Sequence, residues 1–270
     1  ASQAVTNTTR NNVARAYPEI ITAAQSGFNA DLGAQSLIVG HDYALVSRYS
    51  TSNTGNGGAG NYQDYWFDLG RVDAQSHSWI DSLTQDGSHI HVSGWLSSNW
   101  RTTRPYGYVI VLNNGAEVGR ARITFTARPD VGRVYPTVYD SANSGFSVDV
   151  PVDAARLTGQ MSVILRLTDD PAGNGNYVDQ RSSNYTTNAG WIDSMRGNGD
   201  QLIISGWHAA SARPAMPAHV MIFTDMNGHE LWRTEITNGD NLDHGGVAQA
   251  YPQIGNAANS GFNVTLTMPT

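Results

Sequence analysis

Cysteine and lysine are both missing from the 270 residues: there is no Cys, and all 16 basic residues are arginine. The first absence excludes a disulfide framework, a thiol nucleophile and any cysteine-ligated zinc or iron–sulfur site. The second excludes Schiff-base chemistry, a P-loop and a Lys–Asn isopeptide crosslink, which consumes a lysine amine. Glutamate is scarce too. Of 23 acidic residues only Glu19, Glu117, Glu230 and Glu235 are Glu, so long exposed helices are not expected. No apolar run reaches the roughly 18 residues of a membrane-spanning helix, and no signal peptide opens the chain. A net charge of −7 without any basic cluster makes neither nucleic acid nor an anionic membrane an expected partner.

What fills the chain instead is Gly, Ser, Thr and Asn beside β-branched and aromatic residues, a mixture that favours short strands joined by turns. At 40% hydrophobic and 14% charged, the sequence has the apolar mass for a core and too little charge for intrinsic disorder. The composition predicts an all-β protein.

Repetition organises it. Tyr17-Pro18 followed by Ser26-Gly27-Phe28 recurs as Tyr135-Pro136 with Ser144-Gly145-Phe146, and again as Tyr251-Pro252 with Ser260-Gly261-Phe262. Trp79-Ile80-Asp81-Ser82 matches Trp191-Ile192-Asp193-Ser194, and Ser93-Gly94-Trp95 matches Ser205-Gly206-Trp207. Arg48 matches Arg166, and Asn61-Tyr62 matches Asn176-Tyr177. The common period is about 115 residues, the signature of a tandem array. Residues 77–187 form one complete unit. Residues 1–76 read as the C-terminal part of an earlier unit, or as the permuted start of a module, and 188–270 as a second copy lacking its C-terminal strands.

Within the complete unit, His89–Trp95 alternates as a half-buried strand should. Tyr108–Leu112 leads through Asn113-Asn114-Gly115 into Ala121–Phe125, and Asn227-Gly228 stands in the sister hairpin; Asn-Gly between apolar runs signals a type I′ turn. The stretch before Tyr135-Pro136 reads as a helical turn stopped by the proline. Six to eight short strands in about 115 residues give the rhythm of a β-sandwich, Ig-like or jelly-roll-like.

The aromatics divide by whether the copies share them. Trp79/Trp191, Trp95/Trp207, Phe28/Phe146/Phe262 and Tyr17/Tyr135/Tyr251 recur on strand patterns and are expected in the core. The unshared ones, Tyr65, Trp66, Trp100, Tyr106 and Trp232, are the candidates for a ligand. A sugar ring offers a C–H face to an exposed indole while Asn, Asp and Arg bond its hydroxyls. Asp64-Tyr65-Trp66 and Asn99-Trp100-Arg101 fit that chemistry, so the candidate ligand-binding set is Tyr65, Trp66, Asn99, Trp100, Arg101 and Trp232.

Metal and catalytic readings are weaker. The loop Asp169-Asp170-Pro171-Ala172-Gly173-Asn174-Gly175-Asn176 has oxygen ligands for calcium, but its counterpart at 52–58 lacks carboxylates and a plain turn is favoured. His89 and His91 share a strand face, yet Leu202 and Ile204 replace them in the sister copy, which disfavours a metal. There is no Gly-x-Ser-x-Gly elbow and no recurring Ser/His/Asp set. Neither cofactor nor catalysis is expected.

The string Ser205-Gly206-Trp207-His208 with its following hairpin, together with Arg128–Pro136 and Asn143-Ser144-Gly145-Phe146, resembles the tandem repeats appended to secreted cell-wall muramidases and other large surface proteins of lactic acid bacteria. The likeness implies a non-catalytic extracellular module at the bacterial cell surface, binding wall or surface polysaccharide, with any hydrolase domain elsewhere in the full protein. The alternative is an adhesin or stalk that presents or docks a host or partner protein.

Overall fold

Alternating apolar residues and Gly/Asn turns give a chain that is mostly β, 48% strand and 13% helix. The computed structural model describes residues 3–30, 32–33, 37–55 and 61–267. By contact the chain divides into two compact units, residues 1–75 and 76–270.

The first unit begins with helix α1 (Asn11–Ala16) and a 3-10 turn at Ala23–Gln25, joined by a bridge between Thr8 and Gly27. Two strands follow, β1 (Asp42–Ser50) and β2 (Tyr62–Arg71), paired antiparallel with Arg48 opposite Asp64.

The second unit opens with β3 (Ser76–Asp86), β4 (His89–Ser98), β5 (Tyr106–Asn113) and β6 (Ala116–Ile123). Helix α2 (Pro129–Val134) precedes β7 (Gly145–Pro151), β8 (Gln160–Thr168), β9 (Tyr177–Arg181) and the short β10 (Tyr185–Thr186). One antiparallel sheet runs β3-β4-β7, and a second runs β10-β8-β5-β6 with β9 also paired to β8. Both sheets feed a single buried cluster: Ile90, Val92 and Leu96 from β4 and Phe146 and Val150 from β7 meet Val109 and Val111 from β5 and Met161, Val163 and Leu165 from β8. Each fully buried aliphatic side chain contributes roughly 1.5–3 kcal/mol.

The same order then restarts. Strands β11 (Asn188–Asn198), β12 (Gln201–Ala210), β13 (Val220–Thr224) and β14 (Glu230–Glu235) are followed by α3 (Gly245–Ala250) and β15 (Gly261–Thr267). Strands β11-β12-β15 make one sheet and β13-β14 another, with Ile204, Ile236, Phe262, Val264 and Leu266 as their core. Among the described residues, the α-helices α1, α2 and α3 each have six residues and stop at a Tyr-Pro pair, whose tyrosine N–H still bonds back into the last turn.

The two copies inside the second unit are joined by hydrogen bonds. Gln85, buried, donates to the Ser211 carbonyl (2.9 Å) and accepts from the Gly255 N–H (3.2 Å). Gln253 donates to the Thr186 carbonyl at 3.1 Å, and the Ser211 N–H bonds the Thr187 carbonyl at 2.8 Å.

Two local expectations are modified. Asn114 and Gly115 both take positive φ (49° and 81°), as a type I′ turn requires. At the sister hairpin only Gly228 does; the Asp225 carboxylate there accepts the N–H groups of Asn227 and His229 and shapes a different turn. The shared aromatics are not all core. Phe146 and Phe262 are buried, but Phe28 and Tyr17 are exposed, Trp95 and Trp207 are half-buried, and Trp79 and Trp191 stand 65% and 68% exposed.

Candidate functional site

The repeated strings Trp-Ile-Asp-Ser and Ser-Gly-Trp are the two sides of a β-bulge. Trp79 lies opposite Trp95 and Ile80 opposite Gly94, but Ser82 pairs with Ser93, which leaves Asp81 as the extra residue. In the later copy Trp191 lies opposite Trp207, Ile192 opposite Gly206, and Asp193 is the extra residue. Glycine is required at 94 and 206 because a Cβ there would run into the carbonyl oxygen of Trp79 or Trp191 across the ladder.

The bulge sets which side chains face out. Ile80 packs toward the core, so Trp79 and its partner Trp95 share the opposite face of the sheet. Helix α2 is tied to that face at both ends. At its start the Arg128 guanidinium bonds Asp81 at 2.7 Å and Asp130 at 2.8 Å. At its end the Tyr135 ring closes on Trp95 at 5.7 Å and stacks on His77 at 4.2 Å. Asp130 is pulled down to about 2, chiefly by its hydrogen bond from Arg128, and the guanidinium is correspondingly held charged.

The later copy repeats the arrangement. Tyr251 closes on Trp207 at 5.7 Å, and His244, at the start of α3, takes the place of Arg128, lying 3.7 Å from Asp193 and 6.2 Å from the Trp207 ring. Each copy thus presents an exposed indole beside a half-buried indole and a phenol, edged by charged and imidazole groups. Such a surface places flat aromatic faces and hydrogen-bonding groups side by side. Sequence reasoning placed these residues in the core because recurrence looked like packing; the signal that separates them is the bulge, which inverts the alternation at Asp81 and Asp193.

Of the residues singled out from sequence, Tyr65 and Trp66 belong to the first unit and Asn99, Trp100, Arg101 and Trp232 to the second. Tyr65 and Trp66, on β2, are 67% and 64% exposed and, as neighbours in a strand, point to opposite faces. Tyr65 packs on Phe67 at 4.9 Å. The segment 99–101 is engaged in packing. Asn99 is buried and its Oδ1 accepts the Tyr139 N–H, and Trp100 packs against the core with Arg104 over its ring at 4.3 Å. Arg101, 10% exposed, pairs with Asp140 and lies over Phe125 at 3.9 Å; burial pushes its pKa down and Asp140 opposes the shift. Trp232 is half-buried, packed on Phe223 at 5.0 Å.

In the acidic loop, Asp170 accepts the N–H groups of Ala172 and Asn174, and Asp169 accepts both the N–H and the side-chain amide of Asn176. Among the described residues no group of three or more His, Asp or Glu side chains is gathered as metal ligands would be, and no helix is long and apolar enough to cross a membrane.

One structural device recurs without having been expected. Arg166 forks onto Asp179 (2.8 and 2.9 Å), lies over Tyr177 at 3.6 Å and donates to the Gly173 carbonyl. Arg48 forks onto Asp64 (2.6 and 2.7 Å), lies over Tyr62 at 3.8 Å and donates to the Gly55 carbonyl. Both clamps fasten a Gly/Asn-rich loop to its strand pair, which is a structural task. The chain matches no family model and no curated protein.

Proposed function

We propose that the chain is a non-catalytic, extracellular array of β-sandwich modules of about 115 residues that binds bacterial cell-wall or surface polysaccharide. In this reading residues 77–187 are one whole module, and 1–76 and 188–270 are parts of two others. The observation that carries it is the recurrence of one exposed indole, Trp79 and Trp191, opposite a second indole in both copies. A large aromatic left two-thirds exposed at equivalent places is explained by a ligand better than by packing. Two shallow sites on one chain raise avidity through effective concentration.

A second reading, a stalk that spaces or docks a protein partner, is favoured by the hydrogen-bonded junction at Gln85. Pull-down with purified cell walls and with the polysaccharide extracted from them separates the two. Retention on walls and on protein-free polysaccharide, lost when Trp79→Ala and Trp191→Ala are combined, supports the first. Background retention on both sinks it, and turnover of muramyl or glucan substrates overturns the non-catalytic part.

A further inference from the structure

One corner of the fold is built differently in the two copies. In the complete unit it is filled. Phe125 and Trp100 pack against the core there, Arg101 lies over the Phe125 ring, and residue 107 is glycine, at which a Cβ would come within 2.9 Å of Phe125 Cζ.

The backbone fixes which residues of the later copy are equivalent. The Leu96 N–H bonds the Ser144 carbonyl and the His208 N–H bonds the Ser260 carbonyl, both at 2.8 Å. Arg104 N–H bonds Trp100 as Met216 N–H bonds Ala212, and the bridge from Thr126 to Gly145 corresponds to that from Leu242 to Gly261. In this register Leu96 becomes His208, Trp100 becomes Ala212, Gly107 becomes His219, Thr124 becomes Asp240 and Phe125 becomes Asn241. The ring that filled the corner is lost, and the glycine whose side chain that ring excluded becomes a histidine. A cavity of about 260 Å³ opens, bordered by His208, His219, Arg213, Asp240, Asn241 and Asn256.

Its polar groups are organised. Asp240 accepts from His219 Nδ1 at 2.8 Å and from Arg213 Nη2 at 2.9 Å, and Arg213 also donates to Asn241 Oδ1 at 2.8 Å. Asn256 Oδ1 accepts the Ala210 N–H, and His208 Nε2 bonds Asn188 Oδ1 at 2.7 Å. Arg213 and Asp240 balance each other, so the cavity selects neither cation nor anion by net charge. The asparagine oxygens are engaged, which leaves the amide N–H groups as the donors offered to a ligand. The walls dehydrate His208 and lower its pKa, His219 and Arg213 push the same way and Asp240 opposes, so the surroundings favour the uncharged ring. An apolar recess with Trp191, Trp207 and Phe262 adjoins the cavity through His208 and His219. A donor-rich cavity in which Arg213 and Asp240 offset each other, beside an indole, suits hydroxyl and acetamido oxygens, and its volume is that of one ring rather than a length of polymer.

We propose that the later copy carries a site for a single neutral sugar residue, a chain end or branch of the polysaccharide, held among His208, His219, Asn241 and Asn256. The proposal rests on the saccharide-binding reading above. The test is a titration of the 270-residue chain with glucose, galactose, rhamnose and N-acetylglucosamine, followed by the NMR signals of the His208 and His219 rings and the Asn241 and Asn256 amides. Saturable shifts of these signals with at least one sugar are expected. The double variant His219→Gly, Asn241→Phe puts the ring equivalent to Phe125 back into the corner; it should melt like the parent and lose the shifts, with affinity down more than tenfold. His208→Leu, the residue of the sister corner, is the second variant should the first fail to fold. Absence of shifts with every sugar, or shifts unchanged in the variants, overturns the site. Polysaccharide retained while no sugar moves these signals overturns the site and leaves the outer-face reading standing. Sugar shifts without retention of polymer support the site and sink the outer-face reading.

Discussion

Trp79 and Trp95 face each other across the β3–β4 ladder two residues before the bulge at Asp81, and Trp191 and Trp207 do the same before the bulge at Asp193. Among the described residues, the ring contacts to tyrosine are made by the half-buried member of each pair, Trp95 with Tyr135 and Trp207 with Tyr251, each at 5.7 Å. The outer member is available to a ligand.

Trp79→Ala and Trp191→Ala should therefore weaken polysaccharide binding by about tenfold each, or ~1.4 kcal/mol, while stability changes by less than about 1 kcal/mol because the truncated ring is mostly solvated. Calorimetric titration and thermal melts on the same samples check this. Large destabilisation with unchanged affinity would return both indoles to a packing role.

Gln85→Ala removes the donor to Ser211 and the acceptor from Gly255 at a buried junction. Leaving such groups unpaired costs about 1–3 kcal/mol. Urea unfolding should show that loss in the later copy first, and a variant as stable as the parent would contradict it.

The two arginine clamps predict unequal responses to the same substitution. Lysine cannot fork onto a carboxylate or stack as a plane. Arg166→Lys, at a clamp only 13% and 17% exposed, should cost about 1–2 kcal/mol. Arg48, 34% exposed, should respond less, because water screens its pair. Urea midpoints of the two variants test the order.

Much of this was legible in the sequence. The Tyr-Pro stops, the strand runs and the Asn114-Gly115 turn follow from local rules, and the recurrence of short strings marks where elements repeat. The roles of the recurring tryptophans were not legible. A strand alternates with period two, so one inserted residue reverses every assignment beyond it, and nothing in Trp-Ile-Asp-Ser alone announces the insertion. The contacts of Asn99-Trp100-Arg101 were not legible either. The polar residues of this segment look like a sugar platform, but Tyr139 and Asp140, some 40 positions away, engage them. The cavity at His219 depends on residues 208 to 256 meeting, and composition at no one of those positions foretells it.

Asp130 and His208 each lose their share of stability as pH falls. Asp130 is held at about 2 by Arg128, below the ~3.9 of an unfolded aspartate. Its share of stability is present above the unfolded value and is lost as pH falls toward 2. Carboxyl NMR should place its midpoint near 2, and Arg128→Ala should move it up.

His208 is lowered by dehydration, with His219 and Arg213 adding. The unfolded chain therefore takes up a proton first as pH falls below ~6.5, and its share of stability, full above that value, declines as pH drops toward the folded value. His208→Leu should flatten stability between pH 7 and 5, and an unchanged slope would assign it to other groups.

The junction at Gln85 has a consequence for selectivity. A pliant tether lets two sites adapt to many ligand spacings, whereas Gln85, Gln253 and Ser211 bolt the two copies together by their backbones. Under the proposed function, the indoles at Trp79 and Trp191 would be the two marks of a ruler: a polymer whose repeat matches that one separation would engage both at once, and a polymer of identical chemistry but different repeat only one.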